Sequence, residues 1–146
     1  MKKNLKTQFL KRQYMLSRDY EIYYYSDCHM EPVDLHEHDY YEFYFFLEGN
    51  VSIQIEKKLY GLCAGDVVVI PPGVQHRAVI HNPNLPYSRF VFWISMDYYE
   101  RLNMMSEDFF YTIRCVREKE RYIFHNEPVE FSSIQSRIFH LIEEIH

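Results

Sequence analysis

Glycine is scarce in this chain. Gly49, Gly61, Gly65 and Gly73 are its four, all within one short stretch, so chain reversals that need a positive φ are expected there and few elsewhere. Cysteine is scarcer still. Cys28, Cys63 and Cys115 are odd in number, widely spaced and without a Cys-x-x-Cys pair. That pattern excludes a disulfide framework or a zinc knuckle and fits a reducing, cytoplasmic setting. Long apolar runs are missing: none approaches the roughly 20 residues of a membrane span. The early lysines are not followed by the apolar stretch and small-residue cleavage site of a secretion signal. Positive charge is also short, since the net charge is −5, which excludes the basic footprint of a nucleic-acid binder. The local exception is Met1–Arg18, with Lys2, Lys3, Lys6, Lys11, Arg12 and Arg18 and no acid before Arg18. It reads as a solvated N-terminal arm, with a weak apolar pattern that can lie on the rest of the chain. No phosphate loop and no Ser-His-Asp arrangement is present.

What the chain does have is aromatic residues. Fourteen tyrosines and eleven phenylalanines in 146 residues argue against disorder and favour strands, where flat rings pack on a pleated face. The length suits one domain with a real core. Glu21–Tyr25 reads as a first strand, and Val33–His38 as an extended run. Tyr40–Leu47 is apolar or aromatic at nearly every position, as expected of a strand buried on both faces. Val51, Ile53 and Ile55 alternate with polar neighbours, and Leu59–Leu62, Val67–Ile70, His76–His81 and Ser88–Ser95 follow between turn signals. Short strands at this spacing imply a sandwich or barrel.

After Ser95, a plausible helix cap, Met96–Met105 reads as a helix. Phe109–Val116 and Arg121–Phe124 leave helix and strand open. Ser132-x-x-Gln135 resembles a capping box that opens a last helix, whose apolar stripe is Ile134, Ile138, Leu141, Ile142 and Ile145. That stripe still runs at His146 with no Gly, Pro or basic last turn to close it, so a longer parent chain is expected.

Chemistry concentrates in two stretches. His36-x-His38-x-x-x-Glu42 precedes Gly49, and Gly65 precedes Pro71-Pro72-Gly73-x-x-His76. His36, His38 and Glu42 have the same parity in an extended chain and so share a face, with Tyr44 and Phe46 following them. On the later strand His76, Ala78 and Ile80 share one. Three imidazoles and a carboxylate suit a divalent transition metal (iron, manganese, nickel or zinc) with open positions for a substrate. The same groups equally suit a polar pocket that holds no ion, in which imidazole and carboxylate satisfy each other. His29, His81, His125, His140 and His146 have no partner spacing and read as surface residues. Trp93 reads as core beside Phe90 and Phe92, and Cys63 lacks a nearby base.

These two stretches resemble the paired motifs of the cupin superfamily, from His36 through Gly49 and from Gly65 through His76. Met30 stands where the leading Gly of the first motif is usual, and Ile80 replaces the usual Asn of the second. The wider pattern resembles the N-terminal sensing domain of AraC-type transcription regulators. It is carried by the His-x-His-x-x-Tyr-Glu-Phe-Tyr-Phe run, by Leu62–Pro72 and by Phe90-Val-Phe-Trp-Ile-Ser95 with the helices beyond. The resemblance implies a mainly β fold, a double-stranded β-helix or jelly-roll barrel, followed by C-terminal helices. Residues 1–19 would form the arm, 20–95 the barrel and 96–146 a dimerising segment.

The implied function is a sensor, not an enzyme. A small effector, a sugar among the candidates, would sit among His36, His38, Glu42, Tyr44 and His76, with Phe46 and Phe92 as walls. The stripe Ile134, Ile138, Leu141, Ile142 and Ile145 would pair two copies. DNA would be met only through a further domain not in this sequence, and no membrane contact is expected. The alternative is a small metal-dependent cupin enzyme, an isomerase or dioxygenase, with His36, His38, Glu42 and His76 on the ion.

Overall fold

Two-residue alternation builds the molecule. The computed structural model describes residues 5–12 and 14–145, with side chains for all of these but Phe109 and Phe110. Its strands are β1 (Tyr20–Asp27), β2 (Tyr41–Glu48), β3 (Val51–Ile55), β4 (Lys58–Gly61), β5 (Asp66–Ile70), β6 (His76–Ile80), β7 (Tyr87–Ile94) and β8 (Ile123–His125). The helices are α1 (Met96–Met105), α2 (Glu107–Lys119) and α3 (Pro128–Ile145). The strands form two antiparallel sheets, ordered β1-β7-β2-β5-β8 and β4-β3-β6. This is the mainly β, jelly-roll architecture with trailing helices that the motifs imply.

Register decides what faces what, because residues opposite one another across an antiparallel pair share a face. Glu21, Trp93, Glu42 and Ile70 form one such row across the large sheet, and Tyr23, Val91, Tyr44 and Val68 the next. Tyr25, Arg89 and Phe46 make a third. This face meets Val51, Ile53 and Ile55 of the small sheet in the principal core. On the small sheet Ile55 lies opposite His76 and Ile53 opposite Ala78, so His76, Ala78 and Ile80 share a face as their parity predicts.

The large sheet's other face carries Ile22, Phe43, Phe45, Phe90, Phe92 and Ile94, and the helices cover it. Tyr99 of α1 and Ile113 and Val116 of α2 pack with Tyr41, Val69 and Ile94. Ile142 of α3, 1% exposed, packs with Ile22 and Phe90.

The local expectations have mixed outcomes. Val33–His38 belongs to no named strand; it touches the small sheet through one bridge, His36 to His76. Phe109–Val116 resolves as the body of α2, capped by the Ser106 hydroxyl at the Asp108 N–H, and the Arg121–Phe124 segment becomes β8 on the edge of β5. Ser95 caps α1, accepting from the Tyr98 N–H at 3.2 Å. Ser132 and Gln135 do not open α3, which starts a turn earlier at Pro128; proline fits a first helical position because its missing N–H would be unpaired there anyway. Gly61 lies inside β4 without a positive φ, whereas Gly65 has φ +99, and a Cβ there would stand 2.6 Å from the Asn126 carbonyl oxygen.

The stripe on α3 is also divided. Ile142 is spent on the barrel, Ile134 and Ile138 are half-buried, and only Leu141 and Ile145 remain substantially exposed. A helix lying on the sheet must use part of its apolar face there, so five residues cannot all pair with a second copy.

Lys2, Lys3 and His146 lie outside the described residues. From Leu5 onward the arm is docked. The Thr7 N–H donates to Tyr24 O at 2.8 Å, the Phe9 ring meets Tyr25 edge-on, and Lys11 Nζ donates to Pro32 O at 3.0 Å. Arg12 Nη2 lies 2.9 Å from Glu21 Oε1, and Glu21 Oε2 accepts from the Leu16 and Ser17 N–H groups. Among the described residues no helix is long and apolar enough to cross a membrane.

Candidate functional site

A cavity of about 330 Å³ opens between the two sheets. Its walls include His36, Glu42, Tyr44, His76, Tyr87, Arg89 and Trp93, and Phe9, Leu10, Lys11 and Arg12 of the arm lie across it. A second cavity of about 630 Å³ lies on the outer face of the large sheet under the helices, lined by Phe43, Phe45, Phe92, Leu102 and Leu141 among others. The larger space has few polar groups. The smaller one gathers convergent polar side chains, the mark of a binding site.

Three histidines meet at one end of the inner cavity. The possible ligand atoms of His36, His38 and His76 all lie within 4.8 Å of one another. Each ring is oriented alike. His36 Nδ1 lies 2.9 Å from Asp34 O, His38 Nδ1 3.0 Å from Tyr40 O and His76 Nδ1 2.8 Å from Val74 O. A carbonyl can only accept, so all three Nδ1 atoms carry the proton, and in the neutral ring each Nε2 presents a lone pair. His38 Nε2 and His76 Nε2 are buried without a hydrogen-bond partner.

Glu42 stands beside this cluster. Its Oε1 accepts from Trp93 Nε1 at 2.7 Å, and its Oε2 lies 3.1 Å from His76 Nε2. At that distance the carboxylate and the imidazole form an ion pair once His76 is protonated. Burial is the largest influence on Glu42 and opposes its charge. The adjoining His76 and His38 imidazoles and the Trp93 N–H outweigh it and hold the carboxyl down to about 2. Burial likewise opposes charge on His76, yet the Glu42 carboxylate raises its pKa overall. On His38 burial outweighs the pull of the same carboxylate and pushes it down to about 4, leaving it neutral. Burial also lowers His36. The cluster is therefore two neutral imidazoles and one imidazole tied to a carboxylate.

Of the expected site residues, His36, Glu42, Tyr44 and His76 line the cavity, and His38 sits behind it, stacked on Tyr40 at 3.8 Å. The Tyr44 and Tyr87 hydroxyls hydrogen-bond to each other. Phe46 is inside the barrel but buried in the core rather than on the cavity wall. Phe92 is no wall of the inner cavity: its parity on β7 turns it to the outer face, where it meets Phe43 and Tyr20 and lines the outer cavity. Glu42 adjoins the three-histidine cluster without belonging to its mutually converging set. The remaining described histidines stay outward, with His125 on Asp66 at 2.7 Å and His81 on Ser52 at 2.7 Å.

Three further residues line the cavity. Trp93 is in the core, as expected, and stands on the cavity wall as well, as the partner of Glu42. Arg89, 2% exposed, crosses the barrel interior between the Tyr25 and Tyr87 rings. Arg12 of the arm lies over the Trp93 ring, 5.1 Å from its centroid. Odd parity of Arg89, Val91 and Trp93 was the available signal for two of them; nothing local marked Arg12.

Among solved structures the chain is similar to a cupin protein from Bacteroides fragilis, at 18% identity over 64% of this chain and 86% of that one, with a TM-score of 0.47. It is also similar to a cupin 2 conserved barrel domain protein from Salinispora arenicola, at 20% identity over 68% and 80%, with a TM-score of 0.48. A salicylate 1,2-dioxygenase from Pseudoaminobacter salicylatoxidans is similar at 15% identity over 58% of this chain but only 25% of its own, with a TM-score of 0.48. Among curated proteins none matches in sequence. Residues 19–143 match the family described as the AraC-like ligand binding domain, and the chain therefore belongs to that family.

Proposed function

We propose that this chain is the effector-sensing and dimerisation domain of an AraC-type transcription regulator. A small molecule binds in the inner cavity, and its presence biases the position of a DNA-binding domain carried by a longer chain. The observation that carries this reading is the arm. Phe9, Leu10, Lys11 and Arg12 form part of the wall opposite Glu42 and His76, so a ligand in the cavity is also a ligand of the arm. It would favour the docked arm over the released one by its differential affinity for the two. The exposed Leu141 and Ile145, beside the half-buried Ile134, are the part of α3 left for a second copy. The gene downstream of His146 tests the regulator directly: two in-frame helix-turn-helix units support it, and a stop codon overturns it. Sedimentation tests dimerisation, which fails if the domain stays monomeric at high micromolar concentration.

A second reading is favoured by the histidine cluster. Three Nδ1–H groups anchored on carbonyls, with Nε2 atoms converging and that of His38 buried without a partner, fit a divalent transition metal. His36, His38 and His76 would hold it and Glu42 would stand beside it. Such an ion would supply a Lewis-acid anchor for an oxygen-rich ligand, in a metal-gated sensor or in a small cupin enzyme, an isomerase or dioxygenase. Elemental analysis of protein purified without chelator tests this. Near-stoichiometric metal lost in both His38→Ala and His76→Ala supports it; metal-free wild-type protein that takes up neither zinc nor iron overturns it.

A further inference from the structure

One edge of the Arg89 guanidinium has no acceptor among the described residues. The guanidinium is buried among aromatic rings, its carbon 4.1 Å from the Tyr87 centroid, 4.9 Å from Tyr25 and 5.0 Å from Phe9 of the arm. Nη1 is fully used, donating to Asp27 Oδ2 at 3.1 Å and to Tyr87 O at 2.9 Å. Among the described residues no group accepts from Nε or Nη2, and neither is a sealed, unpaired atom. These two N–H groups form one planar edge of the guanidinium, the edge that matches the two oxygens of a carboxylate in parallel. Arg89 lines the inner cavity, the space in which a bound molecule could meet that edge.

The rest of the wall says what the other end of the ligand carries. Nε2 of His36 is an acceptor, because its Nδ1 carries the proton, and the Glu42 carboxylate can only accept. Both line the cavity and both call for donors, such as hydroxyl groups. Tyr44, Tyr87 and Trp93 supply flat walls between the two ends. Lys11 brings a further positive charge to the lining, and its ammonium donates to the Pro32 carbonyl. A volume of about 330 Å³ is at the small end of ligand pockets, which fits one ring rather than two.

We propose that the effector is a small, single-ring carboxylic acid bearing hydroxyl groups, a sugar acid or a hydroxybenzoate, whose carboxylate pairs bidentately with Arg89 Nε and Nη2. This rests on the sensing function proposed above and narrows it. It replaces a neutral sugar by an acid, because the two oxygens of a carboxylate accept both N–H groups in parallel with charge-assisted bonds, which single hydroxyl acceptors of a neutral ring match less strongly.

Trp93 is the single tryptophan of the chain and stands in the cavity wall, so its fluorescence reports occupancy. Two matched pairs serve as probes: D-glucuronate against D-glucose, and 4-hydroxybenzoate against 4-hydroxybenzamide. In at least one pair the acid shifts Trp93 emission in a saturable way and binds roughly tenfold or more tighter than its neutral partner. Arg89→Lys, which keeps the charge but loses the fork, weakens that acid by about tenfold or more and leaves the neutral partner unchanged. Because Arg89→Gln alone strands Asp27 and can fail to fold, Asp27→Asn/Arg89→Gln is the neutral variant, and melting curves accompany each protein. Equal binding within both pairs, acid binding insensitive to Arg89→Lys in a folded protein, or no response to either acid overturns the proposal. The sensing reading fails differently: an Arg89-dependent acid binds, yet the arm gains no protection from proteolysis and self-association does not change. A neutral sugar that binds and protects the arm keeps the sensor and removes the acid.

Discussion

The two faces of the five-stranded sheet share the same strands and do opposite things. Along β7, Phe90, Phe92 and Ile94 face the helices, while Arg89, Val91 and Trp93 face the cavity. Along β2, Phe43 and Phe45 face outward, while Glu42 and Tyr44 face inward. One strand thus carries a fold on its even or odd positions and a binding site on the others. The difference teaches where stability resides: the outer face is almost wholly apolar, even around its own cavity under the helices, whereas the inner face near its cavity holds charges that must be offset by partners. Loss of packing should therefore damage the outer face most, and loss of a charge partner should damage the inner face selectively.

The largest effect is expected from Phe90→Ala. Phe90 is 0% exposed between β1 and α3, and truncation of such a ring costs about 3–5 kcal/mol, read as a fall in urea midpoint. Probe binding in the folded fraction should survive, and its loss would break the separation of the two faces. Ile142→Ala comes next, at roughly 2–5 kcal/mol by the same cavity argument. If instead it leaves thermal stability unchanged while abolishing self-association, then α3 is free for a partner and not docked on the sheet.

On the inner face, Glu21 gives a pH signature. Burial opposes its charge, but the Tyr23 hydroxyl, Arg12 and the Ser17 and Leu16 N–H groups lower its pKa overall. A carboxylate held below its ordinary value, roughly 4.3, adds stability that is present above that value and lost as pH falls through the lower folded one. Arm docking, followed by proteolytic protection and Trp93 emission, should weaken across that acid window. Arg12→Met should flatten the dependence, and a dependence unchanged in that variant would remove Arg12 from the latch. The smallest effect belongs to Leu141→Ser and Ile145→Ser. Both residues are largely exposed, so each should shift stability by no more than about 0.5 kcal/mol while together weakening self-association in sedimentation.

Much of this was readable in advance, and the failures have a common form. Regular strands obey parity, so Glu42, Tyr44, His76 and Ala78 point where their numbers say. Parity holds only when the right strand face is chosen: Phe92 was assigned inward, when Arg89 and Trp93 occupy that face. The last helix was misread for a related reason. Ser132 and Gln135 satisfy a local rule, but Pro128 starts the helix sooner, and the apolar stripe had two surfaces to serve instead of one. His36 and His38 converge with His76 although Val33–His38 is not a strand, because the bridge between His36 and His76 ties the loop to the small sheet.

The sequence by itself determined the alternation, the turns and the two motifs, and with them a mainly β fold and the convergence of His36, His38 and His76 beside Glu42. Those are consequences of neighbours along the chain, where spacing fixes direction. Only the tertiary structure decided that the basic arm closes the cavity, that Trp93 holds Glu42, and that Arg89 keeps one edge open. Those pairings join residues far apart in the chain, such as Arg89 with Asp27 and Trp93 with Glu42. No local pattern encodes them, because a charge finds its partner through the packing of the whole barrel.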